Sequence, residues 1–225
     1  MTTKIIALSD GIGFVEHLGT FGNDLTVVNA ARVSFAKESN AMTEGDVKLI
    51  KYLANHNHTS PFFHPQIRMR LKMPIFVARE WFRHTVGFAR NEVSRRYVDT
   101  AVECYVPDAE MIRERDTNKK QGSKSTPVEN AVYSHEYMND MTGVAIDTYN
   151  KLLSENVAPE LARMVLPQSM YTEFIETASL CGYARLCKLR LNPDAQYEIR
   201  LYAQIVSGIL EKEFPVSWAA LSSVA

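Results

Sequence analysis

The sequence predicts a single α+β domain in which a mostly antiparallel sheet is flanked by long helices. Apolar and polar residues alternate from 65 to 73, which is the period of a strand with one buried face. Other segments carry apolar residues at helical spacing, and these lie at 44–56, 128–154, 179–189 and 194–214. No internal repeat or linker separates the segments, so residues 1–225 are expected to form one domain.

The first half of the chain is expected to alternate between short strands and helices. In chain order these elements lie at 4–8, 14–18, 24–35, 44–56 and 65–73. The apolar face of the first helix is expected to comprise Leu25, Val28, Ala31 and Phe35. Pro74 follows the alternating strand and is expected at the first position of a further helix.

The second half is expected to begin with a mobile surface loop at 115–127, which is rich in lysine, serine and glycine. Thr126-Pro127-Val128-Glu129 has the pattern of a capping box, so the next helix is expected to begin there and to reach about Ser154. Its buried side is expected to comprise Val128, Ala131, Tyr137, Met141, Val144 and Leu152. A short helix, a β-rich segment and two final helices follow, at 162–166, 168–177, 179–189 and 194–214.

Composition places the chain among globular proteins and argues against several classes of function. It has 225 residues, of which 46% are hydrophobic and 23% are charged, enough for a substantial core. The formal charge of -1 argues against nucleic-acid binding, which depends on an extended basic surface. No apolar run reaches the ~18–20 residues that cross a bilayer, and the apolar part of the N-terminus is too short for a signal peptide. A cytoplasmic protein without a membrane partner is therefore expected.

An arginine-rich stretch at 79–97 is the most informative part of the sequence. It holds five arginines and no lysine in a nearly neutral chain. Arginine binds phosphate oxygens in pairs and stacks on rings, and aromatic residues interleave with the arginines here. Gly87 predicts that the helix ends nearby. An anionic ligand with a planar ring fits this composition, and the alternative is a solvated, charged helix face.

Histidines and cysteines give little support for a metal site or a covalent nucleophile. His56, His58 and His64 lie close in sequence, but no nearby carboxylate or thiolate completes a zinc or iron site. No metal is expected, and both ligand contacts and purely structural roles remain open for these histidines. Cys181 and Cys187 lie on different faces of a predicted helix, where buried, inert thiols are favoured over a nucleophile.

Ordered blocks of the sequence resemble the flavin-dependent thymidylate synthases. Within the arginine-rich stretch, the matching motifs are Trp81-Phe82-Arg83-His84 and Asn91-Glu92-Val93-Ser94-Arg95-Arg96-Tyr97. The other blocks lie at 22–25, 30–35, 58–62, 74–79, 162–167, 189–190 and 195–199. The resemblance therefore extends over nearly the whole chain.

The chain departs from the family signature, which is Arg-His-Arg, seven residues and then serine. Thr85 stands at the third position, and eight residues separate it from Ser94. The hypothesis is that Arg90 supplies the missing cation. The other departures, where the family has glutamine or often asparagine, are Glu80, Ser179 and Arg185.

The resemblance implies a homotetramer with active sites at the junctions between subunits. Each site would bind FAD, deoxyuridine monophosphate (dUMP) and methylenetetrahydrofolate, and NADPH would reduce the flavin. The reaction would be reductive methylation of dUMP to dTMP, with the one-carbon unit from the folate and the hydride from the flavin. No enzyme cysteine attacks the pyrimidine in this family, which agrees with the weak case for a nucleophilic thiol.

Carried over by position, the resemblance also implies which residues form the site. Arg190 is the expected catalytic residue, stabilising negative charge on the pyrimidine ring as C5 becomes nucleophilic. The residues expected at dUMP are Glu80, Arg83, Glu92, Ser94, Arg95, Arg96, Arg163 and Arg190. The residues expected at FAD are Ser60, Arg83, His84, Thr85, Arg90, Asn91, Glu92, Ser179 and Arg185.

Two other functions stay open at this point, because a shared fold does not fix a shared activity. The altered Arg83-His84-Thr85 motif leaves room for a flavin-dependent enzyme that hydroxymethylates or otherwise modifies a pyrimidine nucleotide. The second alternative is a nucleotide-binding homologue that has lost catalysis.

Overall fold

A computed structural model describes residues 4–98, 100–118 and 122–223. Within these residues, five strands form an antiparallel sheet in the order β1-β2-β3-β7-β4, and β5 pairs with β6 in a separate hairpin. The strands are β1 (Lys4–Ile6), β2 (Phe14–Phe21), β3 (Gln66–Pro74), β4 (Phe88–Glu92), β5 (Arg113–Arg115), β6 (Ser123–Pro127) and β7 (Tyr171–Ser179). The helices are α1 (Asp24–Arg32), α2 (Glu44–Asn55), α3 (Ile75–Trp81), α4 (Ala131–Ser154), α5 (Pro159–Ala162), α6 (Leu180–Arg190), α7 (Tyr197–Glu213) and α8 (Pro215–Ser222). The prediction of an α+β fold with an antiparallel sheet is confirmed.

The core lies on one face of the sheet. The alternation predicted for the central strand is confirmed, since its apolar residues Ile67, Met69, Leu71 and Met73 are all fully buried. Helices α3, α6 and α7 contact this face. The opposite face is polar, and there Arg70 of β3 forms an ion pair with Glu173 of β7. The sheet therefore has a covered, mostly apolar face and an uncovered, polar one.

The N-terminal elements follow the sequence prediction closely. The first two predicted strands are present, and the second extends to Phe21. Helices α1 and α2 each begin with a capping box, at Asn23 and Thr43, in which side chains satisfy the free backbone N–H groups. The prediction that Phe35 lies on a buried helix face is wrong, because α1 ends at Arg32 and the Phe35 side chain is 76% exposed.

Most of the arginine-rich stretch is not helical. Pro74 is the N-cap of α3, and that helix ends at Trp81, well before Gly87. The chain then turns and forms β4, which the sequence did not predict, at the edge of the sheet beside β7. Gly87 has φ +83°, a left-handed conformation that favours glycine and reverses the chain between α3 and β4.

For the segment before α4, one prediction is wrong in part and a second is wrong. Part of the predicted loop is regular, because β6 pairs with β5; residues 119–121 of that loop lie outside the described residues. The predicted capping box at Thr126 is also wrong. Pro127 is the last residue of β6, and α4 begins at Ala131 after an N-cap residue, Asn130, that makes no side-chain cap bond. Strand pairing overrides the local helix-start signal here.

One face of α4 is apolar and exposed, contrary to the predicted burial. Tyr137, Met141 and Val144 are 73%, 66% and 58% exposed in the single chain. The helix contacts the short turns at Ala109–Met111 and Arg163–Val165 and does not lie on the sheet. We call the exposed residues that recur at helical spacing the α4 stripe, which comprises Tyr133, Tyr137, Met141 and Val144.

The C-terminal elements agree with the prediction, with one addition. Strand β7 and helix α6 lie where expected, and α7 begins three residues later than the predicted start at 194. Helix α8 was not predicted. It is held by the buried carboxylate of Asp24, which accepts hydrogen bonds from the backbone N–H groups of Val216 at 3.0 Å and Ser217 at 2.8 Å. In the described parts of the chain, no helix is both long and apolar enough to span a membrane.

Candidate functional site

The turn at 82–87 packs against the start of α6. A Cβ atom on Gly87 would lie 2.5 Å from Ser179 Oγ and 3.3 Å from Phe63 Cε1, so a glycine is needed for this approach. The Gly87 carbonyl accepts a hydrogen bond from the Ser179 N–H at 2.9 Å. Ser179 Oγ in turn accepts from the Gly182 N–H at 3.1 Å and caps α6. The sequence prediction that both the turn and Ser179 belong to one site is compatible with this packing.

A buried carboxylate lies beneath this turn, on the covered face of β7. Glu176 is fully buried, and its carboxylate accepts hydrogen bonds from Trp81 Nε1 at 3.1 and 3.2 Å and from the Tyr183 hydroxyl at 3.0 Å. It also forms an ion pair with Arg90, its direct neighbour across the β4–β7 pairing. Burial raises the pKa of Glu176, and the guanidinium group of Arg90 opposes that shift.

Arg90 links this carboxylate to the turn above it. Its Nη1 donates to the His84 carbonyl at 2.6 Å. The guanidinium group lies over two aromatic rings, 5.2 Å from the Phe82 centroid and 4.5 Å from that of Phe88. The hypothesis that Arg90 takes the place of the missing signature arginine stays a prediction; its side chain contacts Glu176 and the backbone of the turn.

The turn carries His84, whose ring meets Arg190 at the end of α6. Arg190 Nε donates to His84 Nε2 at 3.1 Å, while its Nη1 and Nη2 donate to the Glu80 carboxylate and the Glu80 carbonyl, each at 2.9 Å. Burial and the charges of Arg190, Arg90 and Arg83 lower the pKa of His84 from 6.5 to about 4. The imidazole is therefore neutral at pH 7, with Nε2 free of a proton and able to accept from Arg190.

One cavity collects four residues of the predicted dUMP set. It has a volume of about 670 Å³, and the predicted residues that line it are Glu92, Ser94, Arg95 and Arg163. The Thr172 hydroxyl donates to Glu92 Oε1 at 2.5 Å, which fixes one carboxylate at the cavity wall. Arg163 projects from the short turn after α5.

The second cavity collects two other residues of that set. It has a volume of about 400 Å³, and Glu80 and Arg190 line it together with Arg113, Tyr197 and Arg200. Arg113 and Arg200 lie over the Tyr197 ring, 4.4 and 5.5 Å from its centroid. Arg113 also pairs with Glu198 at 3.3 Å. Within one chain, Arg163 and Arg190 thus line different cavities.

Two arginines of the predicted dUMP set, Arg95 and Arg96, contact other groups of the chain. The guanidinium group of Arg95 donates to the carbonyls of Thr100 and Ala101, the latter at 3.2 Å. Arg96 is half-exposed and pairs with Glu160 at 3.5 Å. Arg83, which belongs to both predicted sets, is exposed on the 82–87 turn.

Two of the remaining residues of the predicted FAD set, Ser60 and Arg185, lie on elements that contact each other. Ser60 begins a short 3-10 helix that ends at Phe63, and Arg185 of α6 lies 5.5 Å from the centroid of the Phe63 ring. Ser60 and Arg185 are exposed, as are Thr85 and Asn91. Arg185 thus lies beside the Phe63 ring, which also lies next to Gly87 of the 82–87 turn.

The thiols are poor nucleophiles. Cys181 and Cys187 are buried, as predicted, and burial raises the pKa of both. The pKa of Cys104 is also raised, again chiefly by burial. Across residues 4–98, 100–118 and 122–223, no group of three or more histidine, cysteine, aspartate or glutamate side chains could hold a metal ion.

Sequence reasoning did not single out Glu176, Arg113, Tyr197 or Arg200. A weak signal existed for Glu176: it is the carboxylate in the alternating set Thr172, Phe174, Glu176 and Ala178, which forms the covered face of β7. A charged residue at one of these buried positions indicates that a partner of opposite charge is buried beside it. No comparable pattern marks Arg113, Tyr197 and Arg200, which come from β5 and from the start of α7.

Comparison with known protein families identifies the family of this chain. The family model described as "Thymidylate synthase complementing protein" (Thy1) matches residues 17–216. The chain belongs to this family. A flavin-dependent thymidylate synthase from Thermus thermophilus is 39% identical over 208 residues, covering 92% of this chain and 75% of the relative. One from Thermotoga neapolitana is 37% identical over 214 residues, covering 95% of this Thy1 family chain and 92% of the relative.

Solved structures of similar fold include a UMP/dUMP methylase, PolB from Streptomyces cacaoi. Its complex with 5-Br dUMP matches this Thy1 chain with a TM-score of 0.85 and 30% identity, covering 97% of each chain. Its complex with 5-Br UMP matches with a TM-score of 0.82 and 29% identity, covering 93% of each. The resemblance inferred from the sequence is therefore confirmed at the level of family and fold.

Proposed function

We propose that this protein is a flavin-dependent thymidylate synthase that converts dUMP to dTMP. Membership of the Thy1 family over residues 17–216 carries the proposal, because relatives that cover most of the chain carry this activity in their names. The cluster of Arg190, His84 and Glu80 supports the proposal, because it holds a guanidinium group that can stabilise negative charge on a pyrimidine ring. Methylenetetrahydrofolate as one-carbon donor and NADPH as reductant are part of the proposal.

The residues around the start of α6 fit a bound FAD. Exposed Arg83, Arg185 and Ser60 can meet its phosphates, and Phe63 offers an aromatic surface beside them. The other residues that we propose for this side of the site are His84, Thr85, Arg90, Asn91, Glu92 and Ser179. When bound, FAD would supply the hydride that completes the methyl group.

The chain's own part in the reaction is binding and electrostatic stabilisation. Ser94, Arg95, Arg96 and Arg163 would bind the nucleotide phosphate, with Glu92 beside them. Arg190 would stabilise negative charge on the pyrimidine ring as C5 becomes nucleophilic, and Glu80, His84 and Arg83 would fix or border that ring. The neutral imidazole of His84 suits this role, because a second positive charge beside Arg190 would repel it.

We propose that the protein works as a homotetramer with sites at subunit junctions. Two observations support this. The α4 stripe leaves large apolar side chains exposed in a single chain, which is typical of a surface that another subunit covers. The proposed nucleotide residues lie in two separate cavities of one chain, so a neighbouring copy is needed to bring Arg163 and Arg190 to one ligand. A cytoplasmic location is also proposed, since three free cysteines suit a reducing compartment.

UMP is a second candidate substrate. The observation that favours it is the fold match to a UMP/dUMP methylase, which has been solved with both a dUMP and a UMP analogue. Hydroxymethylation of the nucleotide remains the alternative chemistry, because Thr85 alters the signature motif. A catalytically inactive homologue is less well supported, since Arg190, Arg163 and Ser94 are all present.

The test is to purify the protein, record its flavin absorbance and identify the product by mass spectrometry. Incubation with dUMP, methylenetetrahydrofolate, NADPH and FAD is expected to give dTMP, and a parallel reaction with UMP tests the second candidate. Arg190→Ala is expected to retain FAD but to lose about 10²–10³-fold in turnover, whereas Lys51→Ala, an exposed charge on α2, is expected to behave as the parent protein. A product with the mass of a hydroxymethyl nucleotide, or a protein that binds no flavin, would refute the proposal.

A further inference from the structure

The carboxylate of Glu176 is held by donors from three different elements. Trp81 belongs to α3, Arg90 to β4 and Tyr183 to α6, and all three donate to it in the covered face of the sheet. All of these groups are donors, so the carboxylate is the ionised, acceptor-only form that satisfies them together. A buried charge of this kind is costly unless it is paired and hydrogen-bonded. The pairing with Arg90 meets that condition.

The Arg90 guanidinium group makes a second contact that leads out of the core. Its Nη1 donates at 2.6 Å to the carbonyl of His84, in the middle of the 82–87 turn. The ends of that turn are held by backbone hydrogen bonds, from His84 N–H to the Trp81 carbonyl at 3.2 Å and from Ser179 N–H to the Gly87 carbonyl at 2.9 Å. Arg90 therefore ties the middle of the turn to the sheet.

The next contact runs from the turn to Arg190. The His84 ring accepts from Arg190 Nε at 3.1 Å, and two further bonds at 2.9 Å join Arg190 to Glu80. The contacts form one continuous series: Glu176, Arg90, the His84 backbone, the His84 ring and Arg190. A displacement of Arg90 would move the His84 ring away from the guanidinium group of Arg190.

We propose that Glu176 is a positioning residue for Arg190 and that it acts through Arg90 and His84. This rests on the proposed function, in which Arg190 stabilises the reacting pyrimidine ring. Glu176 itself touches neither cavity, because it is fully buried and lines neither of them. Its effect is to hold one side of Arg190, while Glu80 holds the other side.

A purely structural role would predict a different sequence. Replacing a buried ion pair by apolar residues of similar size is often neutral or stabilising, so stability alone does not require charges at 90 and 176. A guanidinium group is required if one side chain must reach both a carboxylate and the carbonyl of the turn, since its planar fork carries several donors. Arg90 uses Nε for Glu176 and Nη1 for His84, and the two contacts use different edges of the same group.

The test compares Glu176→Gln with Arg90→Lys and with a matched control. Glutamine keeps the size of the side chain but turns an amide towards Arg90 and removes the charge. Lysine can still pair with Glu176, but it lacks the forked guanidinium group needed to reach the His84 carbonyl as well. Arg90→Lys therefore tests the contact between residue 90 and His84 even if Glu176→Gln folds poorly. Asp46→Asn is the control, because Asp46 is also a fully buried carboxylate paired with an arginine, Arg32, and lies in α2.

Two measurements separate positioning from general loss of stability. Turnover of dUMP by Glu176→Gln and Arg90→Lys is expected to fall about 10- to 100-fold with little change in KM, because a transition-state contact is misplaced. The NMR titration of His84, assigned with His84→Gln, is expected to move from a pKa of about 4 towards its ordinary value of 6.5. The charged groups that face His84 are Arg190, Arg90 and Arg83, and both variants loosen its contact with the first two.

Each outcome decides the proposal. Unchanged turnover in both variants, an unmoved His84 titration, or an equal loss of turnover in Asp46→Asn would overturn it. If the parent protein does not act on dUMP, the proposed function fails on its own. The His84 titration then still shows whether Glu176 and Arg90 hold the ring against Arg190, since that measurement needs no substrate.

Discussion

Alanine at Gly87 is expected to destabilise the protein more than alanine at Gly11. Both glycines have a left-handed backbone, with φ of +83° and +75°. A residue with a Cβ atom costs about 1–2 kcal/mol in that conformation. Nothing lies within 4 Å of the Cβ atom that alanine would add at Gly11, so Gly11→Ala isolates the backbone cost.

The extra cost at Gly87 comes from Ser179. The added Cβ atom would lie 2.5 Å from Ser179 Oγ, which must move away from its position as the cap of α6. Loss of an N-cap hydrogen bond costs about 1 kcal/mol. Gly87→Ala is therefore expected to lose about 2–3 kcal/mol in the free energy of unfolding, against about 1–2 kcal/mol for Gly11→Ala.

Urea denaturation at one fixed protein concentration measures both values, and the fixed concentration matters because an oligomer's stability depends on it. The cause can be checked in a Ser179→Ala background, where the clashing oxygen is gone. There the difference in cost between Gly87→Ala and Gly11→Ala is expected to shrink, because only the 3.3 Å approach to Phe63 Cε1 remains at Gly87. The reasoning is refuted if Gly87→Ala and Gly11→Ala cost the same in the parent protein.

Three further predictions concern other parts of the molecule. Asp24→Ala is expected to cost about 2–3 kcal/mol in urea denaturation, because it removes charge-assisted bonds to two backbone N–H groups of α8; a wild-type midpoint would contradict this. Because the folded-state pKa of His84 is lowered to about 4, its neutral form contributes stability that is complete above pH 6.5 and is lost between pH 6.5 and 4. The pH dependence of the unfolding free energy should therefore flatten in this range in His84→Gln, and an unchanged profile would count against it. Replacing Tyr137 and Met141 together with glutamate is expected to reduce the molecular mass in sedimentation, unless the α4 stripe is not a subunit interface.

The parts of the fold that the sequence predicted are those whose signal is local. The alternation in β3 and the helical spacing in α2 and α6 report directly which side chains are buried. Strand β4 could not be predicted in this way, because it is short, lies at the sheet edge and owes its conformation to pairing with β7. The segment Thr126-Pro127 shows the same competition, since its helix-start pattern yields to pairing with β5.

What covers an apolar helix face cannot be predicted from local spacing either. The spacing of Tyr137, Met141 and Val144 correctly indicates an apolar helix face, but spacing does not say what covers it. The resemblance to the family predicted that His84, Arg190 and Glu80 belong to the same active site. The resemblance did not predict a role for Glu176, because that role depends on the strand register that places Glu176 opposite Arg90.

The register between β4 and β7 limits how the segment between Thr85 and Ser94 can change in length. Neighbouring residues of a strand point to opposite sides, so Phe88 and Arg90 face the helices while Ala89 and Asn91 face away. Deleting one residue of β4 would restore a seven-residue interval before Ser94. A deletion that shifts Arg90 would turn its side chain outwards and leave Glu176 without its ion-pair partner. Insertions and deletions in β4 are therefore tolerated only when two residues are added or removed together, or when Glu176 is replaced at the same time.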